Sequence, residues 1–524
     1  MSSCFRHGRR ILLNRNSFFY QAALLAASNF VLQLLGFVYR VLLGRLAGPE
    51  GLGVYTLAIQ VYSIVMSVCS FGLCVAVTHV CARLYETADY RGIRKLIRFA
   101  LFCFVLLLSL LAVPILSFRG FIAKTLLSDS RTESALFIIL ICILFTGIEN
   151  ILKAAFLGCR LVRYTAVSEL GELLIRIGFA WLLLTRLMNG DHGRSAFLIV
   201  LAMTLSELYS VAFLSASFLA RFKVKLAKPK TPAFNIKRAF LKMAVPSALT
   251  SVLSNVFSSI AVVIFPARLM LAGYAHNEAV SSLGLISGMV APLLMLPYAL
   301  VGALCALLMP SIAAASALGQ KRVLARKIDK GIEAAGLLAL PPTAALLPFI
   351  PLMCALLFNR TVPPLLALLL ALHTVTVYYL ILANSILNGL GLQKKVLLLA
   401  FLGESLQVAL VFLLTAKPAL HVYGYVLGMI IADLLRTLFS FVFIHASSGT
   451  KPRVFQAGLV PLACAVTLYA FSRLCFFKLL SLSISVANAL LLSLGFSALL
   501  YFALLRLLGV RVLAYLRRFV FVQK

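Results

Sequence analysis

Six of the chain's 15 acidic residues stand inside apolar stretches long enough to cross a bilayer: Glu149, Glu169, Glu172, Glu207, Glu404 and Asp433. A charge at mid-bilayer costs about 2.5–3.5 kcal/mol on insertion scales, so such groups are expected to face a partner or a wet cavity. Four basic residues share the placement, Arg40, Lys153, Arg176 and Arg436. Helical spacing pairs most of them. Glu149 with Lys153 and Glu172 with Arg176 stand at i, i+4, Asp433 with Arg436 at i, i+3, and Glu169 shares the Glu172 face. These ion pairs either fix helix packing or break and re-form as helices move. Glu207 and Glu404 have no partner in their own helices. An unpaired carboxylate at that depth suits coupling to a cation, Na+ or H+. The alternative is a neutral acid bonded to a neighbouring helix, since desolvation favours the uncharged form.

Arg40 is the sharpest substrate-binding candidate, in a first span that also carries Asn29, Gln33 and Tyr39. A guanidinium binds phosphate oxygens bidentately and keeps its proton, which suits a diphosphate. Arg45 and Arg268 close spans one and seven. They are expected to face each other across a cavity mouth, or to snorkel to headgroups. In span seven Asn255 joins Ser251, Ser254, Ser258 and Ser259 in a polar stripe that either lines the cavity or holds helices together. Pro246, Pro266, Pro292 and Pro297 mark bends in spans seven and eight.

These residues must be positioned by helices. With 62% hydrophobic residues and a net charge of +33, the chain reads as an all-α polytopic membrane protein. Fourteen spans are expected, roughly 19–43, 54–81, 97–117, 134–157, 165–185, 195–219, 239–267, 280–309, 332–357, 364–388, 396–415, 422–444, 454–472 and 482–505. With the N-terminus placed in the cytoplasm, 33 of the 48 basic residues fall in inner segments and 11 in outer loops. That bias sets both termini in the cytoplasm and a plasma-membrane location. The basic residues are strung along short loops, so nucleic acid is not an expected partner; anionic membrane lipid is. The eleven cysteines show no metal-ligand spacing and read as small hydrophobes, and no metal or cofactor is expected. No GxxxxGK[ST] motif occurs, so no nucleotide hydrolysis is expected of the chain. The few acids in the cytoplasmic loops argue against a metal-dependent transferase, and a transporter rather than an enzyme is expected.

Spans one to six and seven to twelve read as parallel repeats. Gly44-Arg45-Leu46-Ala47-Gly48 matches the stretch Arg268 to Gly273, and Gly158 to Arg163 before Glu172 matches Asn388 to Lys395 before Glu404. The offset is 225–232 residues. The organisation expected is an N-lobe over 1–220, a basic linker over 221–238, a C-lobe over 239–446, and two further spans with a basic tail over 447–524. Parallel repeats recur in transporters that rock about a central site.

Gly36 to Tyr55, with Gly44-Arg45-Leu46-Ala47-Gly48-Pro49-Glu50-Gly51 at its centre, resembles the first-loop signature of the stage V sporulation protein B family. Ala166 to Arg176 and Ile386 to Gly391 resemble that family's fifth and tenth spans. The family belongs to the multidrug, oligosaccharidyl-lipid and polysaccharide exporter (MOP) superfamily, which also holds MATE transporters and lipid II flippases. The resemblance implies two six-helix lobes with two appended helices. It implies alternating-access transfer of an undecaprenyl-diphosphate-linked saccharide, above all the peptidoglycan precursor lipid II, to the outer leaflet, and tilts towards sporulation. Another lipid-linked polysaccharide unit, or a MATE-type cation-coupled drug exporter, is the alternative. The chain departs from the family in a second lobe poor in basic residues: between Lys242 and Arg268 span seven has none.

Overall fold

The computed structural model describes residues 18–87, 89–188, 192–222, 236–448 and 454–507. The basic N-terminal tail, most of the basic linker and the basic C-terminal tail lie outside them. Among the described residues every regular element is helical. We number the helices α1 Phe18–Met66, α2 Gly72–Glu86, α3 Tyr90–Ser117, α4 Thr132–Gly158, α5 Val162–Leu187, α6 Ser195–Arg221, α7 Ile236–Leu271 and α8 His276–Leu283. They continue as α9 Tyr298–Ala317, α10 Lys321–Leu346, α11 Ile350–Phe358, α12 Pro364–Gly389, α13 Gln393–Thr415, α14 His421–Ser448, α15 Val454–Ser481 and α16 Val486–Leu507.

Among the described residues, 13 helical stretches are long and apolar enough to cross a membrane, which makes this a multi-pass membrane protein. They differ from the expected spans in three places. Spans one and two run together, because α1 turns at Gly48 without a loop (φ 69°, ψ 178°), a backbone region open essentially to glycine alone. Span five (α5) is a 26-residue helix, but its intramembrane charges keep it below the apolar threshold. Span eight is not one helix. It breaks into α8, a π-helical stretch Gly284–Val290, one turn Ala291–Leu294, and then α9. Pro292 and Pro297 lie at this break, where each withholds a backbone donor.

The chain packs as two compact units, Met1–Met270 with Tyr274–Gly288, and Leu271–Gly273 with Met289–Lys524. In the first, α6 packs against α4 and α5, α1 against α5, and α8 against α1. Gly72 of α2 meets the Ala244 carbonyl of α7, and Phe99 of α3 stacks edge-on against Phe240. In the second, α14 packs against α12 and α13, and α15 lies along α10. The final pair docks through Leu337, Cys464 and Leu505, and Tyr501 Oη donates to the Leu337 carbonyl at 2.9 Å.

The internal repeat shows in the backbone. Gly48 and Gly273, 225 residues apart, both have positive φ (69° and 99°) after spans one and seven. Arg160 and Gly391, 231 apart, do the same after spans four and ten (57° and 77°).

Candidate functional site

Apart from Arg40, the intramembrane charges of the first unit converge where α4, α5 and α6 meet. Lys153 Nζ lies 2.6 Å from Glu149 Oε1, 3.4 Å from Glu172 Oε2 and 3.5 Å from Glu169 Oε1. Arg176 binds Glu172 and reaches Glu207 Oε1 at 3.0 Å, while its Nε donates to Ser206 Oγ at 3.0 Å. Ser210 donates to Glu149 and shares a hydrogen bond with Ser168. The i, i+4 pairs expected within α4 and α5 therefore form, and interlock into one network.

Glu149, Glu172 and Glu207 are all buried, and each offers a carboxylate oxygen within 4.8 Å of the other two. Three buried carboxylates face two permanent cations, Lys153 and Arg176, so the core of the network is one positive charge short. Glu169 adds a fourth acid at the partly exposed edge. The second oxygen of Glu207 is buried without a hydrogen-bond partner among the described residues. A buried net negative charge is costly.

The second unit carries the counterpart on α12, α13 and α14. Arg436 Nη1 lies 2.9 Å from Glu404 Oε1 and 3.9 Å from Asp433 Oδ1. Asp433 turns instead to His373 Nε2 at 3.1 Å. Gly403 makes room for the arginine: a Cβ there would stand 2.8 Å from Arg436 Cδ.

One expectation is completed by the packing and one is met at long range. Glu207 and Glu404, without partners in their own helices, are held from adjacent helices by Arg176 and Arg436, contacts that spacing along one helix cannot show. Asp433 and Arg436 make the expected i, i+3 ion pair, but at 3.9 Å, because Glu404 and His373 compete for them. His373 was missed altogether. It reaches Asp433 from α12, again a contact between helices that spacing along one helix cannot show.

The candidate substrate residues are more dispersed. Arg40 is exposed along α1, as is Asn29, and Arg45 is exposed at the Gly48 end. Arg268 is half-buried near the end of α7. Asn255 spends its amide inside α7, donating to the Ser251 carbonyl at 2.9 Å and to Ser251 Oγ at 3.3 Å.

A separate ionic cluster lies at the Gly48 turn of α1. Arg131 holds Asp129 through Nη2 to Oδ2 at 2.7 Å and Nε to Oδ1 at 3.0 Å, and also binds Glu50. His276 Nε2 stands 3.3 Å from Asp129 Oδ2. Burial pushes the Asp129 carboxyl up, but the hydrogen bonds and charge of Arg131 outweigh it and hold the group below its ordinary range.

Residues 25–182 match the MatE family model. The chain is 23% identical over 463 residues to stage V sporulation protein B of Bacillus subtilis, covering 87% of each chain. An inward-facing multidrug resistance MATE family transporter of the MOP superfamily superposes with a TM-score of 0.63 at 16% identity, covering 80% of this chain and 96% of that one. The lipid II flippase MurJ, in an inward closed conformation, superposes with a TM-score of 0.62 at 15% identity, covering 91% and 97%. The resemblance read from the first-loop, fifth-span and tenth-span motifs is thus borne out. The chain shares the fold of that MATE transporter and of MurJ.

Proposed function

We propose that this chain is a MOP-type flippase that moves an undecaprenyl-diphosphate-linked saccharide, lipid II in the first instance, from the inner to the outer leaflet by alternating access. The observation that carries the reading is coverage. The similarity to stage V sporulation protein B runs over 87% of both chains. The MurJ match takes in 91% of this chain, against 80% for the MATE transporter. A fold match that extends to more of the chain favours the lipid-linked substrate over the small cations of a drug exporter. Arg40, Arg45 and Arg268 supply guanidinium groups for a diphosphate. In this reading the termini lie in the cytoplasm of the plasma membrane, which puts the Gly48 end of α1 outside. The carboxylate-rich networks around Glu207 and Glu404 are the sites where a coupling proton or Na+ acts.

The test uses cells depleted of their own lipid II flippase, expressing this chain with or without Arg40→Ala, and an enzyme that cleaves only outward-facing lipid II. The expected result is cleaved product restored by the parent and reduced about tenfold or more by Arg40→Ala, the loss of about 1.4 kcal/mol or more from a charge-assisted contact. No restoration despite membrane insertion sinks the lipid II assignment and moves it to another lipid-linked glycan. Restoration by both forms removes Arg40 from the site.

A further inference from the structure

Where Gly48 turns α1, the following residues meet α8 and the π-helical stretch behind it, backbone against backbone. A Cβ on Gly284 would lie 1.8 Å from the Pro49 carbonyl oxygen, and one on Gly53 would lie 2.1 Å from the Val280 carbonyl oxygen. Gly288 faces Leu52, whose Cδ1 a Cβ there would approach to 2.8 Å. Glycine at these positions lets the two segments touch with no side chain or water between them.

The ionic cluster sits on the same junction and joins three segments: Glu50 after the Gly48 turn, Asp129 and Arg131 in the loop before α4, and His276 at the start of α8. Asp129 is 3% exposed, although it lies in a loop. Two carboxylates face one permanent cation. The fourth member is an imidazole, the side chain that gains its charge between about pH 5 and 8.

We propose that Glu50, Asp129, Arg131 and His276 form a proton-operated latch that holds α8 against the α1 turn, engaged when His276 is protonated and weakened when it is neutral. The other charged groups here act consistently. Glu278, on the first turn of α8, accepts from the Ala275 amide at 3.1 Å and, like Glu50, favours an imidazolium. Arg131 opposes one but is held by both carboxylates. Arg119 is paired with Glu133 at 3.2 Å. Arg45 before the Gly48 turn, Arg194 at the start of α6 and Arg268 near the end of α7 are further cations, each engaged in an interaction. The latch uses the proposed orientation, which puts the junction outside. It does not depend on which substrate is carried.

Val280 is fully buried against Gly53 and reports on the junction. Val280→Cys is placed in the full chain in intact cells, and its labelling by a membrane-impermeant maleimide is timed from pH 5.5 to 8. Rates are taken relative to the Val280→Cys/His276→Gln double variant at each pH, which removes the thiol's own pH dependence. The latch predicts that lowering the pH slows labelling about fivefold relative to the double variant, the effect of about 1 kcal/mol for a partly exposed ion pair. His276→Lys, a permanent cation at a partly exposed position, should keep labelling slow relative to His276→Gln across the range. Equal rates in all three backgrounds, or pH dependence that survives in His276→Lys, overturn the latch. The readout needs no transport, so a failed lipid II assay leaves this result standing, and the reverse. Thiol reactivity from the opposite side alone would refute the orientation and not the ionic contact.

Discussion

The charge shortage in the α4–α6 network makes an asymmetric prediction: removing its arginine should be far worse than removing one of its carboxylates. Arg176 is 18% exposed and serves Glu172, Glu207 and Ser206. In Arg176→Gln three buried carboxylates are left with Lys153 alone. Breaking a buried pair by deleting one partner costs about 3–5 kcal/mol, because a buried charge is left uncompensated. Glu207→Gln acts oppositely. It removes the surplus charge, and the amide oxygen can still accept from Arg176. Its net effect should lie within about 1 kcal/mol of the parent, the net value of one hydrogen bond. The double variant should recover about 1–3 kcal/mol relative to Arg176→Gln, since the two side chains are in contact. The assay is the apparent Tm of the purified full-length protein in detergent at pH 7, with the four forms measured at one scan rate because unfolding of such a protein is commonly irreversible. The expected order is Arg176→Gln lowest, the double variant between, and the parent and Glu207→Gln together at the top. If Glu207→Gln falls as far as Arg176→Gln, every carboxylate is needed as a full charge and the shortage argument is wrong.

Two further outcomes follow from the geometry. Asp129 is held below its ordinary pKa of about 3.9, so its contribution is present above pH ~4 and is lost as the pH falls from there through the lowered value; acid unfolding in detergent should show this loss in the parent and not in Arg131→Gln. Gly403→Val puts a side chain where Arg436 Cδ would stand 2.8 Å from its Cβ, and should cost about 1–3 kcal/mol by overpacking, visible as a lower Tm that Gly403→Ala shows in smaller measure.

The sequence carried the charges but not the partners. Glu149 with Lys153 and Glu172 with Arg176 were legible because four residues along one helix bring side chains onto one face. Arg176 with Glu207 and Arg436 with Glu404 cross between helices, and only the packing of α5 on α6 and of α13 on α14 decides them. The break in span eight was half visible: Pro292 and Pro297 were marked as bends, but hydropathy reads straight through a kink. The merger of spans one and two was hidden for the opposite reason. Gly48 turns the chain in one residue, where a loop of polar residues would have announced the boundary. The Asp129 cluster had no sequence signal at all, since its members come from positions 50, 129, 131 and 276 with no spacing in common.

The same arithmetic recurs in all three networks, and it separates their chemistry. In each, the carboxylates outnumber the permanent cations, by one around Asp129 and around Asp433, and by two between α4 and α6 once Glu169 at the edge is counted. Around Asp129 and around Asp433 a histidine stands against the surplus acid, His276 at 3.3 Å and His373 at 3.1 Å, so a proton on imidazole can balance the charge. Between α4 and α6 no histidine is bonded to the acids among the described residues. The missing charge there must rest on a carboxylate or be supplied by a bound cation, and Glu149, Glu172 and Glu207 bring oxygens close enough to share either. A proton would leave a neutral acid that needs one donor contact, whereas Na+ would gather several oxygens at once. The Arg176→Gln/Glu207→Gln series bears on this directly. If added Na+ raises the Tm of the parent but not of Glu207→Gln, the three carboxylates hold the cation. If the Tm ignores Na+ and responds only to pH, the surplus charge is carried as a proton, and the networks of both units are proton sites built on one plan.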